Sequence, residues 1–487
     1  MTSRAFIRRI YHLVDRLMLS KLQESTQRRL LSLILAMIRR VCPSAGGSLS
    51  VDRLLARRNL REPAKPMRTL PAWAVDDMRG LAVEVDTLLS PGAFLQSAPV
   101  ARYAPTHWVD AGAAYQRILD EVGNRRFDTI LFVPWLKRGG ADLGALHHAT
   151  LCHGDLGQRT LVIATEPGDS PWAGRLPRDV AFIDAGEEMA ALSGPTREPE
   201  IVLARLVLQL APDRIHIINS HTAWRMLEQF GLALRQQTRV FASLYCDEFT
   251  VDGRVDGLAQ RHLPTTSHLL DAVITDNSAS PESWSNMLGI NHDLFKVVHF
   301  PAPHMTRAAR AARADAAGNR VLWASRLERQ KRPELLLQLA SRMKHLHWDV
   351  HGTALAADDQ VHKELRRLNN VTLHGPFDSF RDIVSAEHLA YVYTSAWDGL
   401  PNVLLEAAQA GLPIVAPDVG GIRDLVPARW LLAANADAAD YVQALEGLQA
   451  NSDSRQQRLR EQDERVALFT WQSFANGMRR IEGYADM

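Results

Sequence analysis

From residue 129 onward, short β-branched apolar runs alternate with segments of helical period. The first series comprises Thr129–Val133, Thr160–Ala164, Val180–Ile183, Ile215–Asn219, Val240–Leu244, Ala272–Thr275 and Val297–Phe300. Such alternation predicts βαβ units that build a parallel sheet. Pro301, Pro303 and the Ala- and Arg-rich stretch Met305–Arg320 interrupt it. A second series follows, with Val321–Ala324, Trp348–His351, Val371–Leu373, Tyr391–Tyr393 and Ile414–Ala416 separated by helices such as Glu334–Lys344 and Gln360–Leu368. The 487 residues exceed what one core usually holds. The expectation is an α/β chain with two doubly wound, Rossmann-like domains, over 126–304 and 319–470, joined near residue 305. A terminal helical piece occupies 471–487. No short-period repeat is visible, which excludes a solenoid.

Residues 1–125 form a separate, helical and basic extension. Its first 40 residues carry nine cationic side chains (Arg4, Arg8, Arg9, Arg16, Lys21, Arg28, Arg29, Arg39 and Arg40) against Asp15 and Glu24. Phe6, Ile10, Leu13 and Leu17 recur at helical spacing. The apolar run Leu30–Ile38 is too short to span a bilayer, which takes ~20 residues. Two readings stay open: an amphipathic helix lying on an anionic membrane surface, or a helical hairpin packed on the body. Beyond it, Val75–Leu89 reads as helical. The whole chain balances 56 Lys+Arg against 55 Asp+Glu. No protein-wide positive field exists to draw nucleic acid, so no nucleic-acid partner is expected. Three scattered cysteines offer neither a disulfide framework nor a zinc cluster, which suits a reducing, cytoplasmic setting.

In open α/β sheets, ligands bind beyond the carboxyl ends of the strands. Four segments there carry polar or glycine residues. The strongest is Ser395–Gly421, where Asp398–Gly399 make a turn, Pro401 suits a first helical position, and a helix runs from Asn402 to Ala410 before Gly411. Gly399 and Leu400 then sit at a helix amino terminus, where unpaired N–H groups favour phosphate or sugar oxygens. Asp398 and Glu406 point into one cleft, and carboxylates accept well from vicinal diols. An ordinary capped helix fits this segment equally well when it is taken alone. In Trp323–Pro333, Arg326 follows a strand and Lys331 precedes a helix, placing two cations where a diphosphate needs them. Arg329 and Arg332 read as solvated turn residues. In Leu131–Ala149, Gly139 and Gly140 allow close backbone approach, although the segment is neither a dinucleotide fingerprint nor a P-loop. In Ile215–Arg225, His221 follows a strand, whereas His216 lies inside one and reads as packing.

Together these segments resemble the family-4 retaining glycosyltransferases of GT-B fold, a group-1 type found in bacterial surface polysaccharide synthesis. Asp398-Gly399-Leu400-Pro401-Asn402-Val403-Leu404-Leu405-Glu406-Ala407 matches that family's paired-acid signature, as do Pro413–Ala416 and Gly420–Gly421. The resemblance implies that Glu406 holds ribose hydroxyls. It implies that Asp398, with the Gly399–Asn402 backbone, holds the transferred sugar. Arg326 and Lys331 would bind the diphosphate, Gly139 and Gly140 would meet the phosphates from the first domain, and His221 would lie near sugar and acceptor. Gly375–Pro376–Phe377 matches a loop near the nucleobase, and the terminal helix Trp471–Tyr484 matches one that crosses back. Asp398 departs from the family, which usually has Glu there. The implied reaction is transfer of a sugar from a nucleotide diphosphate sugar to a glycan or lipid-linked glycan, with retention and with no metal or other cofactor. Alternatives are a sugar-nucleotide epimerase of the same fold and a non-catalytic carbohydrate-binding or partner subunit.

Overall fold

The structure, a computed structural model, describes residues 72–90, 109–193, 198–303, 318–353, 360–377 and 379–485, together with Thr26 and Leu33. The basic stretch 1–40, those two positions apart, and most of the Met305–Arg320 interruption lie outside the described residues. The chain divides into two compact units, Met1–Ala114 and Tyr115–Met487. In the first, the helix Ala72–Glu84 stops before a separate 3-10 turn at Thr87–Leu89, where the periodicity suggested one continuous helix. Among the described residues, no helix is long and apolar enough to cross a membrane.

The second unit holds two parallel sheets. The first contains β1 (Thr129–Val133), β2 (Thr160–Ala164), β3 (Ala181–Asp184), β4 (Arg214–Ile218), β5 (Arg239–Ser243), β6 (Ala272–Thr275) and β7 (Phe295–Val297), in the order β3-β2-β1-β4-β5-β6-β7. The second contains β8 (Arg320–Ala324), β9 (His347–His351), β10 (Val371–Gly375), β11 (His388–Val392) and β12 (Ile414–Val415), in the order β10-β9-β8-β11-β12. Strand order reverses beside β1 in one sheet and beside β8 in the other. Chains leaving the adjacent strand there turn to opposite faces, which opens a crevice at the carboxyl ends. The sequence after β1 and β4, and after β8 and β11, must therefore line the two crevices.

β1, β2 and β6 fall on the predicted residues. They are buried on both faces, so they read as unbroken apolar runs. β7 does not: it pairs over Phe295–Val297, and the run continues as Val298 and Phe300 because these pack with Phe474, Met478 and Tyr484. The terminal helix also ends earlier than predicted, at Arg479. The residues beyond it return to the first sheet. There the Tyr484 hydroxyl meets His216 Nδ1 at 2.8 Å, and Arg214 donates to the Tyr484 carbonyl at 2.7 Å. His216 thus packs inside β4 and ties the tail down. Around the second sheet, Trp323 and Trp348 fill one core layer and Tyr391, Leu404 and Leu405 another. Truncating one of these leucines to alanine costs about 2–5 kcal/mol.

Candidate active site

The wall formed by the second domain is built around the helix Asn402–Gln409. Pro401 is not its first residue but its cap, extended at φ −63° and ψ 125°. Leu404, Leu405, Ala407 and Ala408 face the core, which turns Asn402 and Glu406, one helical turn apart, away from it. Gly411, at φ +71°, ends the helix in a conformation that costs glycine least. Glu406 is partly buried, and that burial pushes its carboxyl up to about 7. Among the described residues, no cation offsets the cost of charging it.

Asp398 is heavily engaged. Its Oδ2 accepts from the Lys331 ammonium and from the Tyr393 hydroxyl, and its Oδ1 accepts from the Gly399 N–H at 3.1 Å. Lys331 also donates to Tyr393 Oη at 3.0 Å. The ion pair is shielded, with side chains only 13% and 16% exposed. Its two members come from the loops after β8 and β11, the strands that border the switch point. The same loops are joined by Ala396 N–H to the Gln330 carbonyl (2.8 Å) and by the Gln330 amide to the Trp397 carbonyl (2.8 Å). Arg326 stands apart from this cluster. It is 63% exposed and pairs with Glu328 at 2.9 Å. Arg329 is exposed, as the sequence suggests, and Arg332 is half-buried, but both are engaged. Arg329 stacks over Trp397 at 4.8 Å and donates to the Phe249 carbonyl, while Arg332 donates to the Ala436 carbonyl at 2.9 Å.

The first domain supplies the other wall. Gly139 is extended and caps the helix Gly140–Thr150; a Cβ there would lie 2.5 Å from the Asp142 carboxylate, which accepts from the Lys137 N–H at 2.9 Å. The Gly140 carbonyl accepts from Asn402 Nδ2 at 3.3 Å, so the glycine pair meets the second domain's helix start directly. His221 opens the helix His221–Leu234, exposed, behind the Ser220 cap. Pro376 is exposed, and the Phe377 ring has the Arg138 guanidinium at 5.9 Å and the His351 ring edge-on at 5.9 Å. Among the predicted residues, Lys331, Asp398 and Gly399 are brought into one bonded cluster, and Gly140 is joined to Asn402. No direct contact ties Arg326, His221 or Phe377 to that cluster among the described residues.

Sequence reasoning passed over three residues. Glu166 follows β2 and accepts from the Thr222 N–H at 2.9 Å, beside His221. Tyr393, the first residue after β11, carries the hydroxyl shared by Lys331 and Asp398. Asp276, the first residue after β6, is buried, and its carboxyl is pushed up to about 7 by that burial. Each sits at a strand end, as His221 does, and that position is the signal that marks them.

Residues 318–451 match the family model described as Glycosyl transferases group 1. Over 118 residues the chain is 28% identical to the O-antigen biosynthesis glycosyltransferase WbnH of Escherichia coli, which covers 24% of this chain and 34% of that protein. The chain thus spans about a third of that relative's length. Among solved structures, HepE of Anabaena, determined in complex with UDP and glucose, superposes with a TM-score of 0.60 at 16% identity, covering 73% of this chain and 98% of HepE. The lipopolysaccharide outer core galactosyltransferase WaaB gives a TM-score of 0.52 at 17% identity, covering 72% and 98%. At such identities the likeness establishes the fold. The chain is built on the two-sheet GT-B fold, and the segment that carries its second sheet and the Asp398–Glu406 helix is the part that matches the group-1 glycosyltransferase model.

Proposed function

We propose that the protein is a retaining glycosyltransferase that moves a sugar from a nucleotide diphosphate sugar to a glycan or lipid-linked glycan. The setting would be bacterial surface polysaccharide synthesis at the cytoplasmic side. The observation that carries this reading is the pairing of two different acids on one short segment. Asp398 is held by Lys331 and Tyr393, whereas Glu406 is partly buried with no hydrogen bond to its carboxyl among the described residues. A vicinal diol would satisfy the second. The match to the group-1 model and the O-antigen role of WbnH support the same reading.

In this reading Glu406 accepts from the ribose hydroxyls, and Phe377 with Pro376 flanks the base. Asp398 and the backbone of Gly399–Asn402 receive the sugar. Lys331 has three N–H donors; Asp398 and Tyr393 take two, leaving one for the diphosphate. Arg326 at the mouth and Gly139–Gly140 opposite meet the remaining phosphate oxygens. The anomeric C–O bond breaks with its electron pair going to the diphosphate, and the cations act where that charge grows. The acceptor oxygen bonds on the same face, and its proton passes to the departing phosphate oxygen. His221 borders sugar and acceptor. The charge is met by side chains, so no metal is required.

The test is to incubate the full chain with a panel of nucleotide sugars, UDP donors first because HepE was solved with UDP. Thermal shift, nucleoside diphosphate release and product analysis are read with and without glycan acceptor. Transfer with retained anomeric configuration, unchanged by EDTA, is expected. An acceptor-independent change of the sugar would indicate an epimerase, and binding without turnover a carbohydrate-binding subunit; either would overturn the proposal.

A further inference from the structure

One first-domain turn is fitted closely against the second domain. It consists of Asp276, Asn277 and Ser278, directly after β6. The Asn277 side chain makes it rigid: Nδ2 donates to the Tyr245 carbonyl (2.8 Å) and to Asp276 Oδ1 (2.9 Å), and Oδ1 accepts from the Ser280 N–H (2.9 Å). Opposite it stand two glycines with no room for a side chain. A Cβ on Gly399 would lie 2.5 Å from the Tyr245 carbonyl oxygen and 3.0 Å from Asp276 Oδ1. A Cβ on Gly421 would lie 2.2 Å from Asn277 Cβ. The Gly421 N–H donates to the Gly399 carbonyl at 2.9 Å, so the two glycines form one surface. Ser278 closes the contact, its N–H donating to Asp424 Oδ2 at 2.8 Å.

Within this fit, an acid is an expensive choice. Asp276 is 6% exposed, and burial pushes its carboxyl up to about 7. The Asp398 carboxylate pushes it the same way. What the Asp276 carboxyl does face is the Gly399–Leu400 backbone just ahead of the Pro401 cap, with the Leu400 N–H toward it. An apolar side chain would pack there without the desolvation cost, but it would leave that N–H unmet.

We propose that Asp276 is a positioning residue supplied by the first domain: its carboxyl receives the Leu400 N–H and holds the Gly399–Leu400 turn in place. The turn reaches its working geometry only when the two domains stand together. The catalytic consequence rests on the reading of Gly399–Asn402 as the sugar-binding turn; the structural consequence does not. The neutral, shape-matched Asn would substitute for Asp276, because it keeps an acceptor oxygen at the same reach. Ala would not.

Amide hydrogen exchange on the full chain tests this without any nucleotide. In Asp276→Ala, exchange over residues 399–403 is expected to rise roughly tenfold or more while β1 and β8 keep their protection, and Asp276→Asn is expected to return it to near the wild-type rate. Gly399→Ala, whose Cβ meets the first domain, is expected to open the same segment and serves if Asp276→Ala does not fold. Unchanged exchange at 399–403, or a uniform rise across the chain, would overturn the proposal. In turnover assays Asp276→Ala is expected to lose roughly 10–100-fold, borne mostly by kcat, with recovery in Asp276→Asn. A loss carried only by donor KM would also count against it. If the wild-type chain turns over no nucleotide sugar, the sugar-binding reading fails, and the exchange result alone decides the role of Asp276.

Discussion

Each wall of the cleft carries one carboxyl that burial has raised to about 7: Glu406 on the second domain and Asp276 on the first. Their acidity is alike because desolvation dominates both. Their surroundings are opposite. Asp276 is fully enclosed, takes the Asn277 amide at 2.9 Å and faces the Leu400 N–H. Glu406 is only partly enclosed and has no hydrogen bond to its carboxyl among the described residues. A perturbed acidity therefore locates a candidate group without assigning its role. The partners assign it: an acid already satisfied by protein holds protein in place, and an acid left open is the one a ligand would engage.

The strongest way to break this comparison is to remove the open acid. Glu406→Ala is expected to lower kcat/KM by roughly 30–1,000-fold, about 2–4 kcal/mol, with the thermal midpoint preserved. An unchanged rate would remove Glu406 from the site. The pH dependence sharpens the same point. Glu406 serves a diol as a carboxylate, so donor affinity is expected to fall as pH drops below about 7 and to level off above it. Titration calorimetry with the donor nucleotide across pH 5.5–8.5 checks this, and Glu406→Gln should flatten the profile. Stability carries the opposite sign. A folded-state acidity above the unfolded value means that the carboxyl costs nothing at low pH and destabilises as pH rises through the gap. Glu406→Gln should thus be more stable than wild type at pH 8, with the advantage vanishing toward pH 4.5.

The two cations separate by burial. Lys331→Ala and Arg326→Ala are each expected to lower kcat by roughly 10–100-fold, more than they raise donor KM, because charge grows on the diphosphate during bond breaking. Only Lys331→Ala should also unsettle the fold, by about 3 kcal/mol, since it strands a shielded Asp398; exposed Arg326 should leave the melting temperature unchanged. Equal losses of stability would show that burial does not distinguish the two. Asp398→Glu is a milder change. It is expected to keep transfer activity while reordering donor preference, measured as relative rates over the sugar panel. An inactive, folded variant would mean that the Lys331–Tyr393 pair accepts only the shorter acid.

The smallest expected effect concerns the basic stretch 1–40, which lies outside the described residues. We expect the full chain to sediment with anionic but not neutral vesicles, less so at high salt, and a chain lacking residues 1–40 to lose that attachment. Equal sedimentation of both chains would leave the stretch as packing material.

Much of the architecture was legible beforehand because it is written locally. Strands buried on both faces declare themselves as apolar runs, and the Asp398–Glu406 segment announces its turn, its helix and its glycine stop within a few residues. β7 differs from its expected place for the same reason: Val298 and Phe300 are apolar because the returning tail covers them, and no local pattern distinguishes that from pairing. Charge partnership was beyond reach. Lys331 and Asp398 are 67 residues apart, and Tyr484 and His216 are 268 apart. Whether a carboxyl is satisfied depends on which distant backbone or cation arrives beside it and how much water leaves. Sequence alone determined which residues line the strand ends and what chemistry they can offer. Only the tertiary structure decided that Asp398 would be held, Asp276 enclosed and Glu406 left open, because hydrogen-bond partners and local dielectric are set by elements remote in the chain.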